Sequence, residues 1–243
     1  MSKKYVLITG SSKGLGLEIG KVLSYAGYNI ILIGRNKESL LSSLNHLNSE
    51  LKHIIIKLDL SEDDFIKTLS KKIKKLNIFA VVHNYGINYL NDSHPINIDI
   101  LDKSIYNNFT VSLKINEYLM NHCSEILKKI IYIGSTASLH AKASPSYVIS
   151  KGIINLYVKN VSQEYLNKGI FICALLPGIL AHKGSSWNKK KKTDRVKYEE
   201  TEKRQPLGRF AMPSDIAEYV LGLMKQKNFM LTGSIIKLDA NEY

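Results

Sequence analysis

Short apolar runs rich in β-branched residues recur at Tyr5–Ile8, Asn29–Ile33, His53–Lys57, Phe79–His83, Ile130–Ile133 and Ile170–Leu176. Helical periodicity fills the intervals between them. Leu17, Ile19, Val22 and Leu23 follow the first run, and Leu40, Leu41, Leu44 and Leu47 mark a helix over 37–48. Further helices are read over 63–76, over 99–123 with an interruption near Asn107-Asn108, and over 146–165. Strands alternating with helices at this spacing predict an α/β fold, a doubly wound parallel sheet covered by helices on both faces. With 243 residues, no internal repeat and no linker, a single domain over 1–243 is expected. Ligands of such a sheet gather at the carboxyl ends of its strands, where Gly10, Asn84, Ser135 and Pro177 fall.

The first run ends in Thr9-Gly10-Ser11-Ser12-Lys13-Gly14-Leu15-Gly16, after which the helix begins. Glycines let the backbone turn tightly and approach a ligand, and a helix start offers unpaired N–H groups and a positive dipole end to a pyrophosphate. Gly10, Ser12, Lys13, Gly14, Leu15 and Gly16 are therefore candidate dinucleotide-binding residues. The second run ends in Gly34-Arg35, where an adenosine ribose would lie. An acidic residue there would bind a 2′-hydroxyl; Arg35 and Lys13, with no carboxylate read between them, suit a 2′-phosphate. NADP(H) is favoured over NAD(H).

From Gly134 to Lys151 the chain reads Gly-Ser-Thr-Ala-Ser-Leu-His-Ala-Lys-Ala-Ser-Pro-Ser-Tyr-Val-Ile-Ser-Lys. If Pro145 and Ser146 open a helix, Tyr147 and Lys151 share a face one turn apart. A neighbouring ammonium favours the charged form of an acid, so Lys151 is expected to pull the Tyr147 phenol below its ordinary pKa and make it a usable general acid. Ser135, just past a strand end, would offer its hydroxyl to a substrate oxygen.

The net charge of +13 comes from 34 basic residues, nearly all lysine and scattered along the chain. That pattern does not point to nucleic acid, although a positive field favours encounters with anionic small molecules or an acidic partner. No stretch of about 18 apolar residues would span a membrane. The opening Met-Ser-Lys-Lys-Tyr-Val leaves no room for a signal peptide, so a cytoplasmic protein is expected. Cys123 and Cys173 form no paired metal motif and read as buried apolar residues; no metal site is expected.

Thr9-Gly10-x-x-x-Gly14-x-Gly16, Asn84-x-Gly86, Asn108, Ser135, Tyr147-x-x-x-Lys151 and Pro177-Gly178, in this order, resemble the short-chain dehydrogenases/reductases over nearly the whole chain. Gln205 to Ala217 extends the match and resembles the 3-oxoacyl carrier-protein reductase branch. The resemblance implies an oxidoreductase that interconverts a keto group and a hydroxyl. Tyr147 would move the proton, Lys151 would hold the nicotinamide ribose, Ser135 would bind the carbonyl oxygen, and Asn108 would help bind a water that passes protons toward Lys151. Asp59 and Leu60 would flank the adenine, Asn84 and Gly86 would line the inner wall of the cofactor site, and Pro177 and Gly178 would complete it. The resemblance also implies a homodimer or homotetramer formed through helices around Asn108 and Tyr147.

Three departures from the family pattern stand out. Tyr85 replaces a small residue and would crowd the ribose or shape the substrate entrance. His182 takes the place of a threonine that contacts the nicotinamide carboxamide, and Lys237 to Tyr243 lacks a pair of glycines. Ser135 precedes Tyr147 by twelve residues, one fewer than usual, with Ser138 as a less favoured substitute. The resemblance makes 181–204 a substrate lid, with Trp187 placed to pack on the ligand; the Lys189–Lys192 run reads as a solvated face, with a phosphate clamp as the alternative. A small-molecule carbonyl or hydroxyl substrate, anionic or carrier-linked, is expected. The specific alternatives are a 3-oxoacyl carrier-protein reductase and a keto-sugar reductase of surface-polysaccharide synthesis; from another class comes a non-catalytic NADP(H)-binding sensor or scaffold.

Overall fold

The computed structural model describes residues 3–89, 91–182 and 184–242, with the backbone alone for Ser186. Among these, seven strands form one parallel sheet: β1 (Tyr5–Ile8), β2 (Asn29–Gly34), β3 (Ile54–Lys57), β4 (Ile78–His83), β5 (Lys129–Ile133), β6 (Phe171–Pro177) and β7 (Ile235–Leu238). Their order is β3-β2-β1-β4-β5-β6-β7. The chain winds outward from β1 in one direction to β3, then crosses back to β4 and winds the other way. A crevice opens where the direction reverses, between the carboxyl ends of β1 and β4.

Because successive strand residues point to opposite faces, each apolar run supplies two cores at once. Leu7, Ile31, Val81, Ile130 and Ile172 join one core. Val6, Ile30, Ala80, Ile131 and Cys173 join the other. The first core is closed by α3 (Phe65–Ile73), α5 (Val111–Cys123) and α7 (Pro145–Asn167), through residues such as Leu69, Ile115 and Ile154. The second is closed by α1 (Gly14–Tyr25), α2 (Lys37–Leu44) and α10 (Pro213–Lys225), through Ile19, Leu40 and Val220. Both cysteines are buried in these cores.

Several sequence boundaries shift. The helix read over 37–48 stops at Leu44, although Leu47 is still buried. The helix read over 63–76 is α3, Phe65–Ile73. The long helix read over 99–123 is α4 (Ile98–Ile105) and α5 joined by a π turn at Tyr106–Thr110, which accounts for the interruption at Asn107-Asn108. Between β5 and α7 lies the single turn α6 (Ala137–His140), and the segment 181–204 contains α8 (Ser186–Thr193) and α9 (Arg195–Lys203). The sequence reading identified neither α10 nor β7. No helix among the described residues is long and apolar enough to cross a membrane.

Among the polar groups buried within this apolar frame, Lys129 and His83 are held by distinct hydrogen bonds. The Lys129 ammonium donates to the carbonyls of Leu223 and Gln226 at 2.6 and 2.7 Å, satisfying the otherwise unpaired end of α10. His83 shares a hydrogen bond of 2.7 Å with Asn116 Oδ1, and Asn116 donates to the Tyr132 hydroxyl at 2.8 Å. Burial pushes the His83 imidazole down to about 4, with the Asn116 bond opposing it.

Since the folded pKa of His83 lies below the unfolded value, its neutral form stabilises the protein in full above pH 6.5, and that contribution drains away as pH falls toward about 4. The drop amounts to roughly 3 kcal/mol, at about 1.4 kcal/mol per pH unit of displacement. Urea unfolding at pH 4 and pH 7 should therefore show a pH difference smaller by about that amount in His83→Gln than in the parent protein; an unchanged difference would refute the assignment.

Candidate active site

The crevice is organised by Thr9 and Asn84, at the ends of β1 and β4. Thr9 Oγ1 accepts the backbone N–H groups of Asn84 and Tyr85, both at 3.0 Å. The Asn84 amide donates to the carbonyls of Thr9 and Gly10 at 3.2 and 2.9 Å. The turn beyond is so tight that a Cβ on Gly16 would lie 2.6 Å from both Asn84 Nδ2 and the Gly10 oxygen. Gly14 has φ +59°, a left-handed value that favours glycine. No acidic side chain lies in the first turn of α1 and no side chain caps it.

Gly10, Ser12, Lys13, Gly14, Leu15, Arg35, Leu60, Asn84 and Gly86 line one cleft of ≈ 290 Å³. A glycine cradle, an uncapped helix start and two cations fit a phosphate-bearing dinucleotide. Gly16 is not among the lining residues; it packs against Asn84, Gly10 and Ser11 in the turn. The sequence reading found no carboxylate at the ribose end, but the fold supplies one: β3 delivers Asp59 to within 3.9 Å of Arg35. Burial pushes the Asp59 carboxyl up, but hydrogen bonds from Ser61 and the Arg35 charge leave it below its ordinary value. Arg35 therefore faces a partner that strand pairing, not local sequence, brings to it.

The four residues of the expected acid/base set converge beside this cleft. β5 ends at Ile133, and Ser135 lies in the turn beyond it. Pro145 occupies the start of α7, where its fixed φ is compatible with a helix, and this sets Tyr147 and Lys151 on its first two turns. Lys151 is buried and donates to the Ile133 carbonyl at 3.0 Å, with its nitrogen 5.8 Å from the centre of the Tyr147 ring. Burial lowers the Lys151 pKa to about 8.

The Tyr147 pKa moves opposite to expectation. Burial raises it, and the hydrogen bond with the Ser135 side chain opposes the rise without overcoming it. Desolvation disfavours both the phenolate and the ammonium, so each group is pushed toward its neutral form. Ser135 rather than Ser138 meets the phenol; Ser138 Oγ donates to the Ser135 carbonyl at 2.7 Å and accepts from Asn155 at 2.9 Å.

Asn108 sits in the π turn, a helix irregularity often found at functional sites. Its Oδ1 accepts Ile87 N–H at 3.0 Å, and its Nδ2 donates to Ile87 O and Ser104 O at 2.9 and 3.0 Å. The Asn108 side chain thus clasps Ile87, a residue that sequence motifs did not single out. Gly86 must lack a side chain because a Cβ there would run into Asn108 Oδ1.

The remaining candidates all have partners within the protein. Tyr85 lines the cleft, and its hydroxyl donates to Asn107 Oδ1 at 2.7 Å; burial and the Asp59 charge push its phenol up to about 12. His182 also lines the cleft and packs over the dinucleotide turn, where a Cβ on Gly14 would lie 2.6 Å from its ring. Trp187 packs on Phe210 with ring centres 5.1 Å apart and the Lys190 ammonium 4.3 Å from its own ring. Its apolar face is already satisfied there.

Pro177 and Gly178 end β6 beneath a carboxylate that the sequence did not reveal. Glu242 Oε2 accepts the Ile179 N–H at 2.9 Å and lies directly over Gly178. No local pattern signals this contact, since the partners are 63 residues apart.

The model of the short chain dehydrogenase family matches residues 4–194. The 3-oxoacyl-[acyl-carrier-protein] reductase of Rickettsia felis is 29% identical over 252 aligned positions, covering 98% of this chain and 96% of the relative. An oxidoreductase of the short chain dehydrogenase/reductase family from Burkholderia thailandensis superposes with a TM-score of 0.87 at 20% identity, covering 100% of this chain and 93% of the other. L-sorbose reductase from Gluconobacter frateurii, solved with NADPH and L-sorbose, superposes with a TM-score of 0.88 at 18% identity, covering 98% and 96%. With the family model spanning most of its length, the chain belongs to the short-chain dehydrogenases/reductases, oxidoreductases acting on carbonyl and hydroxyl groups.

Proposed function

We propose that this protein is an NADP(H)-dependent reductase that converts a keto group to a hydroxyl, with Tyr147 as the proton donor. The observation that carries this reading is the convergence of Ser135, Tyr147 and Lys151 beside a glycine-lined cleft. A bound nicotinamide would supply the hydride. The neutral phenol at Tyr147, favoured by burial, holds the proton that a developing alkoxide requires. Ser135, whose side chain faces the phenol, orients the substrate oxygen toward it. With a pKa of about 8, Lys151 is largely protonated at neutral pH and offsets the negative charge left on Tyr147 after transfer. Asn108 keeps Ile87 and Gly86 against this group.

The proposed substrate class is the 3-oxoacyl thioester, supported by the full-length similarity to the Rickettsia felis reductase. The net charge of +13 favours its anionic carriers. In this reading residues 181–204 form the substrate lid, with α8 and α9 anchored through Trp187, Tyr198 and Phe210. Lys13 and Arg35 select the 2′-phosphate, and the NADPH held by the structurally similar sorbose reductase agrees with that choice.

Three measurements test the reading. With NADPH and a panel of acyl thioesters, nucleotide keto-sugars and simple ketones, Tyr147→Phe should lower kcat by at least about a hundredfold on the substrate that the parent protein reduces. Full turnover by that variant would sink the assignment, whereas tight NADPH binding without turnover of any panel member by the parent would indicate a non-catalytic sensor. For the parent, kcat/KM for reduction should hold near neutral pH and decline as pH rises through about 8, where Lys151 loses its proton. Arg35→Ala should weaken NADPH binding about tenfold and leave NADH unaffected, as the loss of one charge-assisted contact requires; equal weakening of both would remove Arg35 from the phosphate site.

A further inference from the structure

The helix that carries Tyr147 and Lys151 does not cap its own N-terminus. Ser144 occupies the capping position of α7, but its hydroxyl makes no cap and donates instead to Asn88 Oδ1 at 2.5 Å. The backbone N–H of Ser146, one residue before Tyr147, donates to Asp92 Oδ2 at 2.6 Å. Both residues are buried, with Asp92 7% and Ser146 1% exposed. Asp92 stands 54 residues away in sequence, in the irregular loop between β4 and α4. A carboxylate in this position satisfies an unpaired donor of the first turn and faces the positive end of the helix dipole.

The Ser146 residue is held from its other end as well. Its carbonyl accepts from Ser104 Oγ at 3.1 Å, and that hydroxyl also meets Ser150 Oγ at 3.0 Å and Asn108 Nδ2 at 3.2 Å. All four of these residues are buried. The backbone entering Tyr147 is thus clamped between the loop after β4 on one side and the helix bearing Asn108 on the other. The loop is itself braced, since Asp92 N–H donates to Tyr89 O at 3.2 Å.

From this clamp we infer that Asp92 is a positioning residue for Tyr147: its carboxylate caps the catalytic helix from outside and sets where the phenol stands relative to Ser135. The inference rests on the reading of Tyr147 as proton donor. Asp92 touches neither cleft nor phenol and acts only through the Ser146 N–H. A shift of about 1 Å in a reacting group reduces turnover by on the order of a hundredfold, so freeing the first turn should lower kcat far more than it alters binding.

The full-length protein would be compared with Asp92→Ala, Asp92→Asn, Ser104→Ala and Tyr147→Phe, using NADPH and acetoacetyl-coenzyme A as probe, with amide hydrogen exchange across residues 144–151. D92A should lose about ten- to a hundredfold in kcat while KM and the NADPH dissociation constant stay within about twofold. D92N, which keeps an oxygen acceptor of equal reach, should recover most of that loss, and exchange at Ser146 should quicken in D92A alone of the two. Wild-type kcat in D92A, a loss confined to KM, or an equal loss in D92N would each overturn the proposal. Should D92A fail to fold, S104A, which removes the other anchor of Ser146, must show the kcat-specific loss or the proposal fails. Turnover by Y147F at the parent rate would instead refute the tyrosine's role, while hydrogen exchange would still show whether Asp92 holds the turn.

Discussion

The hydrogen bonds between Thr9 and the Asn84-Tyr85 backbone join the ends of the two strands between which the winding direction reverses. Everything that faces the crevice depends on this link. Asn84 cannot donate to the Gly10 carbonyl unless β1 and β4 are neighbours in register, and the glycine turn cannot close as tightly without that amide against it. The same register sends the chain past Gly86 to Ile87, where Asn108 clasps it. Two strands pairing thus fix both the phosphate-binding turn and one wall of the chemistry.

Burial, more than pairwise attraction, governs the proton inventory of the site. Spacing along a helix suggested that Lys151 would acidify Tyr147, but both groups lie in a desolvated place and each shifts toward neutrality. The result still suits reduction, because a donor must hold its proton before the reaction and a nearby cation matters most once the phenolate forms. The π turn serves the same end mechanically. It aims Asn108 at Ile87 and Ser104 while Asn107 takes the Tyr85 hydroxyl, so one irregular turn braces both sides of the crevice.

Around this frame, the departures from the family pattern and the lid's tryptophan have found partners within the protein. His182 lies against Gly14, Trp187 against Phe210, and Tyr85 reaches toward Asn107 and the Asp59 side. Ala240 and Asn241 take left-handed φ values of 51° and 66° without being glycines, and the tail they form delivers Glu242 to the Ile179 N–H. Backbone strain in that tail accompanies a contact that anchors the exit of β6.

By itself the sequence determined the layered parallel fold and the glycine turn, and its resemblance to the short-chain dehydrogenases/reductases marked Ser135, Asn108, Tyr147 and Lys151 as candidate site residues. These are written in local periodicity and spacing, which follow from strand and helix geometry and from motifs a few residues long. The tertiary structure alone decided the pairing of Asp59 with Arg35, the clasp at Ile87, the Glu242 contact and the Asp92 cap, along with the direction of the Tyr147 shift. Each of these depends on residues brought together by strand order and burial across tens of positions, and no local pattern encodes either a distant partner or the loss of solvent around a charge.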